Sequence, residues 1–332
     1  MPKLKAVVIG AGIMGKNHAR IYAELEDAEL VGVVDVNEEQ GSAIANQHGC
    51  SYYSDCEAFL KKQMPDVASV CVPTHLHAKI AIPLMKQGIN VLVEKPIASS
   101  IKEAQDIIEE ATKNDIVLMI GHVERFNPVI LELKKRITEG ELGRIFQVTS
   151  QRMSPFPKRV LDVGVGIDLA VHDVDIMRYL LGAEIKNLYA LNARRIHSTN
   201  EDLLVGTMEF SNGALGLINC NWITPKIVRE LTIIGEKGMF VANYLTQELC
   251  FYKNESADKS VDWAKGIMDV RAGEMIAVAV NKSEPLRNEL SAFIDAVRQK
   301  KPSPMPGKDG LKALEVVLNF LESAKSKKGV SL

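Results

Sequence analysis

Lys5-Ala6-Val7-Val8-Ile9-Gly10-Ala11-Gly12-Ile13-Met14-Gly15 decides the fold of the first third of this chain. A short apolar run rich in β-branched residues leads straight into a G-x-G-x-x-G turn. His18 to Leu25 reads as helix, and a second apolar run, Leu30 to Val34, stops on Asp35. Strand, glycine turn, helix, strand and acid follow in the order that a dinucleotide requires. Gly10 permits the tight turn, Gly12 lets backbone approach a pyrophosphate, and Gly15 lets helix pack on strand. The helix N-terminus is expected to offer free N–H groups to the phosphates, with Ile13 and Met14 of the turn among the cofactor-binding residues. Asp35 stands where an acid binds the adenosine ribose hydroxyls. A carboxylate there repels a 2′-phosphate, and Val36 and Asn37 supply no arginine for one, so NAD is expected over NADP. A glycine turn in some other βαβ unit, or a site for S-adenosylmethionine or flavin, is the competing reading.

The same alternation continues. Glu38–His48, His77–Gln87 and Ser99–Asn114 read as helices; Val67–Val72, Asn90–Val93 and Val117–Ile120 read as short buried strands. Apolar strands without alternation, separated by helices, imply a doubly wound parallel sheet covered on both faces. The pattern changes near Gly121. A helix over Phe126–Glu139 is followed by strand-like runs at 145–151, 185–194, 203–210, 214–222, 228–234 and 247–252, with turns at Asn212-Gly213 and Glu236-Lys237-Gly238. One helix, Ile167–Leu181, interrupts them, and two more are expected at 288–300 and 308–325. The fold class is therefore α/β: a Rossmann domain over residues 1–121, then an α+β domain over 122–332 with a large, mostly antiparallel open sheet. A C-terminal helix has room to pack back on the first domain.

The chain has 332 residues, 46% hydrophobic and 25% charged, with a formal net charge of −2. That composition fits a globular protein with two cores. It offers no electrostatic case for nucleic acid or an anionic membrane. Five scattered cysteines (50, 56, 71, 220, 250) contain no C-x-x-C pair, which points to reduced thiols in the cytoplasm and to no metal site. No leader is expected before the first strand, and no run reaches the ~18 apolar residues of a membrane span.

Three groups could carry chemistry. Lys95 stands just past a parallel strand, where ligands of open α/β sheets bind. It could hold a hydroxyl or pass a proton, or be a surface lysine before a turn proline. Asp168 and His172 are four apart on one helix, so they share a face. Together they could take an alcohol proton, with Asp175 orienting the ring, or they could line a solvated face. His75 and His77, after Val72-Pro73-Thr74, sit at another strand end and point to cofactor contact.

Gly10–Gly15, Asp35, Val72-Pro73-Thr74-x-x-His77, Glu94-Lys95-Pro96 and Asp168-x-x-x-His172 together resemble, nearly end to end, the glucose-fructose oxidoreductase / inositol 2-dehydrogenase / rhizopine catabolism (Gfo/Idh/MocA) family. The resemblance implies hydride transfer between a nicotinamide and a sugar or cyclitol carbon. It implies that Lys95 holds the reacting hydroxyl, His172 is the general base, Asp168 positions substrate and Glu94 touches the nicotinamide-side ribose. It also implies a cis Lys95-Pro96 bond and a sheet used for oligomerisation, giving a homodimer or homotetramer. Thr74 replaces the usual Asn and Val72 the usual Thr, so backbone groups would make those cofactor contacts.

Gly121-His122-Val123-Glu124-Arg125-Phe126-Asn127-Pro128, and Pro155-Phe156-Pro157-x-Arg159 followed by Asp162-Val163-Gly164-Val165, resemble a narrower branch that oxidises the 3-hydroxyl of UDP-N-acetylglucosamine. Arg125, Arg152, Lys158 and Arg159 would suit its two phosphates, since arginine forks match phosphate geometry. Ordinary surface charge is the alternative. Dehydrogenation of free sugars or inositols is a second functional reading, and a non-catalytic NAD-binding regulator a third.

Overall fold

A six-stranded, wholly parallel sheet forms the core of the N-terminal part, in the order β3-β2-β1-β4-β5-β6. Its elements are β1 (Leu4–Ile9), α1 (Ile13–Glu24), β2 (Ala28–Val34), α2 (Glu38–His48), β3 (Ser51–Tyr53), α3 (Cys56–Leu60), β4 (Val67–Val70), α4 (His77–Lys86), β5 (Asn90–Glu94), α5 (Ile101–Lys113) and β6 (Leu118–Gly121). The computed structural model describes residues 2–157, 163–254 and 273–332. The chain divides into two compact units, Met1–Phe126 with Ser283–Glu315, and Asn127–Lys282 with Val316–Leu332.

In the first unit the strand order reverses between β1 and β4. That switch point opens a crevice at the carboxyl ends of the strands, where such sheets bind ligands. Ala6, Val7, Val8, Val67, Ala68, Val70, Val91, Leu92 and Val93 have no exposed surface, which accounts for the unbroken apolar runs in the sequence. Local chemistry fixes the helix starts. Asn37, Asp55 and Ser100 accept backbone N–H bonds at the starts of α2, α3 and α5, each cap worth about 1 kcal/mol. The short β3 and α3 were not anticipated; three and five residues give too little period to read.

The second unit contains α6 (Pro128–Thr138), β7 (Ile145–Met153), α7 (Val171–Leu181), β8 (Ile185–Ala193), β9 (Leu203–Phe210), β10 (Leu215–Asn221), β11 (Val228–Gly235), β12 (Gly238–Asn243), β13 (Glu248–Lys253) and β14 (Met275–Val278). After α8 (Pro285–Gln299), which belongs to the first unit, α9 (Gly307–Ser326) and β15 (Val330–Ser331) end the chain. Among the described residues its sheet has nine strands, ordered β14-β13-β12-β11-β7-β10-β9-β8-β15. All neighbours are antiparallel except β7 and β10, which run parallel from Leu215 opposite Gln147 to Asn221 opposite Met153. Both anticipated turns join hairpins, β9 to β10 and β11 to β12. β12, β14 and β15 went unread in the sequence.

One face of this sheet is covered within the unit. Gly206 lies against Phe320 of α9, and Ser323 accepts the Ala190 N–H. The strands alternate: Leu204, Met208, Phe210 and Ile218 are buried, whereas Val205, Leu215 and Leu217 are exposed.

Candidate active-site residues

The glycine turn of the first unit separates its three glycines by physical need. At Gly10 φ is +99°, and a Cβ there would sit 2.5 Å from the Cys71 carbonyl oxygen. A Cβ on Gly15 would sit 1.7 Å from the Gly10 oxygen. Both glycines are required by the fold. At Gly12 a Cβ would meet nothing within 4 Å, so the protein leaves that side of the backbone open. Gly12 is also the N-cap of α1, which has no side-chain cap and no acid in its first turn. Its N–H groups, including those of Ile13 and Met14, are thus presented as an anion cradle. Asp35, at the end of β2, accepts the backbone N–H groups of Ala11 and Asn37, the latter at 2.7 Å. An uncapped helix, an open glycine and a carboxylate beside them fit a dinucleotide.

Two more strand ends adjoin this turn. Val72, Pro73 and Thr74 follow β4, and Glu94 ends β5 with Lys95 just after it, joined to Pro96 by a cis bond. His77 is buried between these loops. Its Nδ1 faces the Pro96 carbonyl and its Nε2 the Val72 carbonyl, each at 3.0 Å. Burial lowers its pKa against the pull of those carbonyls. The ring thus braces the two loops, with both nitrogens turned to backbone.

Beneath them lies a buried polar network that sequence reading missed. His18 of α1 places Nδ1 3.0 Å from the Ser69 hydroxyl and Nε2 3.0 Å from Glu94, and Tyr22 reaches Ser69 at 2.8 Å. The Lys95 backbone N–H donates to Glu94 at 3.2 Å. Burial pushes the Glu94 carboxyl up, but His18 and Lys95 outweigh it and hold the pKa below its ordinary value. Ligand atoms of His18, Cys71 and Glu94 lie within 4.8 Å of one another. The hydrogen bonds account for both His18 nitrogens without an ion. Glu289 of α8 is also wholly buried. Its signal was available: it falls among Leu286, Leu290 and Phe293 on the apolar stripe of its helix.

In the second unit, Asp168 and His172 are half-buried, as are Ile167, Tyr179 and Leu181 on the same mostly buried segment. The expected single α-helix begins instead as a π turn, Gly166–Ala170, before α7 takes over at Val171. Asp168 lies in that turn and His172 in the first turn of α7. Such π turns occur frequently at functional sites. The neighbouring Asp173 is buried, receives Arg152 Nε at 2.9 Å and accepts the Cys220 thiol at 3.3 Å. The Arg152 guanidinium also lies over the Tyr244 ring. In the first unit, Arg125 is 6% exposed and pairs with Asp309 at 2.9 Å. Arg152 thus sits in a buried ion pair and Arg125 in a separate, part-buried one. Arg159, with Lys158 and Asp162, falls outside the described residues.

Two family models cover this chain. An oxidoreductase-family NAD-binding Rossmann model matches residues 4–122, and an oxidoreductase-family C-terminal alpha/beta model matches residues 134–332. The chain is 27% identical to UDP-N-acetylglucosamine 3-dehydrogenase of Acidithiobacillus ferrooxidans, over 96% of each protein. It is 26% identical to myo-inositol 2-dehydrogenase of Thermotoga maritima, over 98% of this chain and 97% of that one. The solved structure of the Acidithiobacillus enzyme superposes with a TM-score of 0.87 at 25% identity, covering 98% of this chain and 99% of that one. With both of its domains matched, the chain belongs to the Gfo/Idh/MocA oxidoreductase family and binds NAD through its Rossmann domain.

Proposed function

We propose that the chain is an NAD-dependent dehydrogenase that oxidises a sugar hydroxyl to a ketone, with the 3-hydroxyl of UDP-N-acetylglucosamine as the leading substrate. The observation that carries the reading is the pair Asp168 and His172, four positions apart and left half-buried by a π turn and the first turn of α7 on a mostly buried segment. The likeness to the Acidithiobacillus enzyme supports the choice of sugar.

NAD supplies the hydride acceptor, held by the Gly12–Met14 backbone and Asp35. Val72, Pro73 and Thr74 contribute backbone to its nicotinamide half, and Glu94 contacts the adjoining ribose. Lys95 donates a hydrogen bond to the reacting hydroxyl and favours its developing negative charge. His172 takes the hydroxyl proton as general base. Asp168 orients the sugar. The alcohol loses a hydride from carbon and a proton from oxygen, and the ketone remains.

A second reading is oxidation of free sugars or inositols. The ion pairs of Arg125 with Asp309 and of Arg152 with Asp173 favour it, because those guanidinium groups are already engaged. A non-catalytic NAD-binding regulator would have no need of Lys95 or His172, and both are present. The five cysteines are unpaired, which supports the cytoplasm. Reduction of NAD, followed by ultraviolet absorbance across UDP-sugars, free hexoses and inositols, tests the proposal. Turnover confined to inositols would replace the leading substrate, and no turnover with any polyol would sink the enzyme reading.

A further inference from the structure

Glu289 is the least explained group in the first unit. It has no exposed surface, and neither carboxyl oxygen has a hydrogen-bond partner. A charge left so is costly, and a buried carboxyl normally keeps its proton instead. Its charged neighbour is Glu94, and burial followed by that neighbour raises the Glu289 pKa well above the ordinary carboxyl value. The two acids are unequal. Glu94 has His18 and the Lys95 N–H to favour its anion; Glu289 has neither. Two carboxyls sharing one buried site do not both ionise readily, so Glu94 keeps the charge and Glu289 the proton.

α8 packs on α1 and on the turn Val123–Phe126. The titratable groups on the surrounding elements are Lys16, His18, Arg20, Tyr22 and Glu24 of α1, Cys71 after β4, Glu94 of β5 with Lys95 just after it, and Glu124 and Arg125 of the turn, of which Arg20 pairs with Glu24 and Glu284. Arg125 is held by Asp309. On α8 itself, Arg287 pairs outward with Glu24. The Cys71 and Tyr22 pKa values are raised chiefly by burial, with Glu289 among the lesser causes.

We propose that Glu289 is the proton-exchanging group of the cofactor site, releasing one proton to solvent when oxidised cofactor binds and regaining one when reduced cofactor replaces it. The inference rests on the reading that places the nicotinamide at the strand ends beside Glu94. An oxidised nicotinamide ring carries one positive charge and a reduced ring none. A positive charge beside the acid pair offsets the repulsion that holds the proton on Glu289. The step moves no electrons: the carboxylic acid becomes a carboxylate and one proton leaves.

Linkage sets the sign. The NAD+ complex holds fewer protons than the free protein, so NAD+ binds more tightly as pH rises between the two Glu289 pKa values. The dissociation constant should fall by up to about tenfold per pH unit there, since one proton is released. NADH should show no such slope. Calorimetric titrations of both nucleotides across neutral pH test this in the full chain and in Glu289→Gln. The variant should bind NADH normally and lose the NAD+ slope. Infrared difference spectra of the unmodified protein, NAD+ complex minus free, should show loss of a protonated-carboxyl band, which decides the matter even if the variant fails to fold. An NAD+ slope retained in Glu289→Gln, or no loss of that band, overturns the proposal. A flat NAD+ profile with NADH binding intact overturns it alone; absence of NADH binding in the unmodified chain overturns the cofactor reading as well.

Discussion

Asp35 accepts the backbone N–H of Ala11, so the end of the second strand is tied to the glycine turn that follows the first. The bond fixes the carboxylate beside the open face of Gly12. A carboxylate has about four lone-pair sites, and capacity remains for ribose hydroxyls. A 2′-phosphate would meet its charge. NADH should therefore bind more tightly than NADPH in fluorescence titrations, and Asp35→Ala should narrow the gap. Tighter NADPH binding by the unmodified chain would refute this role of Asp35.

The glycines separate cofactor binding from folding. Gly12→Ala adds a methyl group where the protein has open space, so the thermal midpoint should hold while NADH affinity drops. Gly15→Ala drives a methyl into the Gly10 carbonyl and should lower the midpoint or prevent folding. Melting curves with and without NADH report both effects. Equal NADH affinity in Gly12→Ala would show that the pyrophosphate lies elsewhere.

Much of this first unit was legible because its signals are local. A strand, a glycine turn and an acid lie within 35 residues, and helix α2 is bounded as expected from Glu38 to His48. The missing parts depend on distant partners. His18 gains its meaning from Ser69 and Glu94, and Glu289 from a strand nearly two hundred positions earlier. The π turn at Gly166 has no composition signal, since Gly-Ile-Asp-Leu-Ala would serve an α-helix as well. Arg152 illustrates the converse: beside other cations in sequence it resembles a phosphate ligand, and only the fold reveals Asp173 next to it.

Turnover should depend on Lys95 and His172 separately. Lys95→Met should remove most activity and leave NADH binding near normal. His172→Asn should cost roughly two to four powers of ten if the imidazole is the general base. Single-turnover absorbance gives the rates and fluorescence gives the binding. Undiminished turnover in either variant would reject the role given to that residue.

Arg152 can be assigned by what its loss damages. Breaking a buried ion pair costs about 3–5 kcal/mol, because the partner carboxylate stays behind uncompensated. Arg152→Met should therefore lower denaturant stability on that scale through Asp173. A variant of unchanged stability with a raised KM would instead place the guanidinium on the substrate.

The open face of the nine-stranded sheet carries Tyr189, Leu191, Val205, Leu215 and Leu217, all at least 36% exposed. On paired strands, Leu215 stands opposite Glu209, Leu217 opposite Thr207 and Asn219 opposite Val205, so the apolar residues form a patch interrupted by polar ones. Exposed apolar patches of this kind mark contact surfaces. We propose a second copy of the same sheet as its cover, related by two-fold symmetry, since a self-complementary face closes on itself. Such an interface should bury more than about 1,000 Å² in total. Light scattering during gel filtration should give two or four times 36.6 kDa at micromolar concentration. Leu215→Glu with Leu217→Glu should shift the mass toward one chain, because like charges would then face each other across the symmetry axis. The unit's own core lies under the opposite face, where Phe320 packs on Gly206, so the double variant should keep its far-ultraviolet circular dichroism. A mass near 36.6 kDa for the unmodified chain would leave this face to solvent or to a different partner.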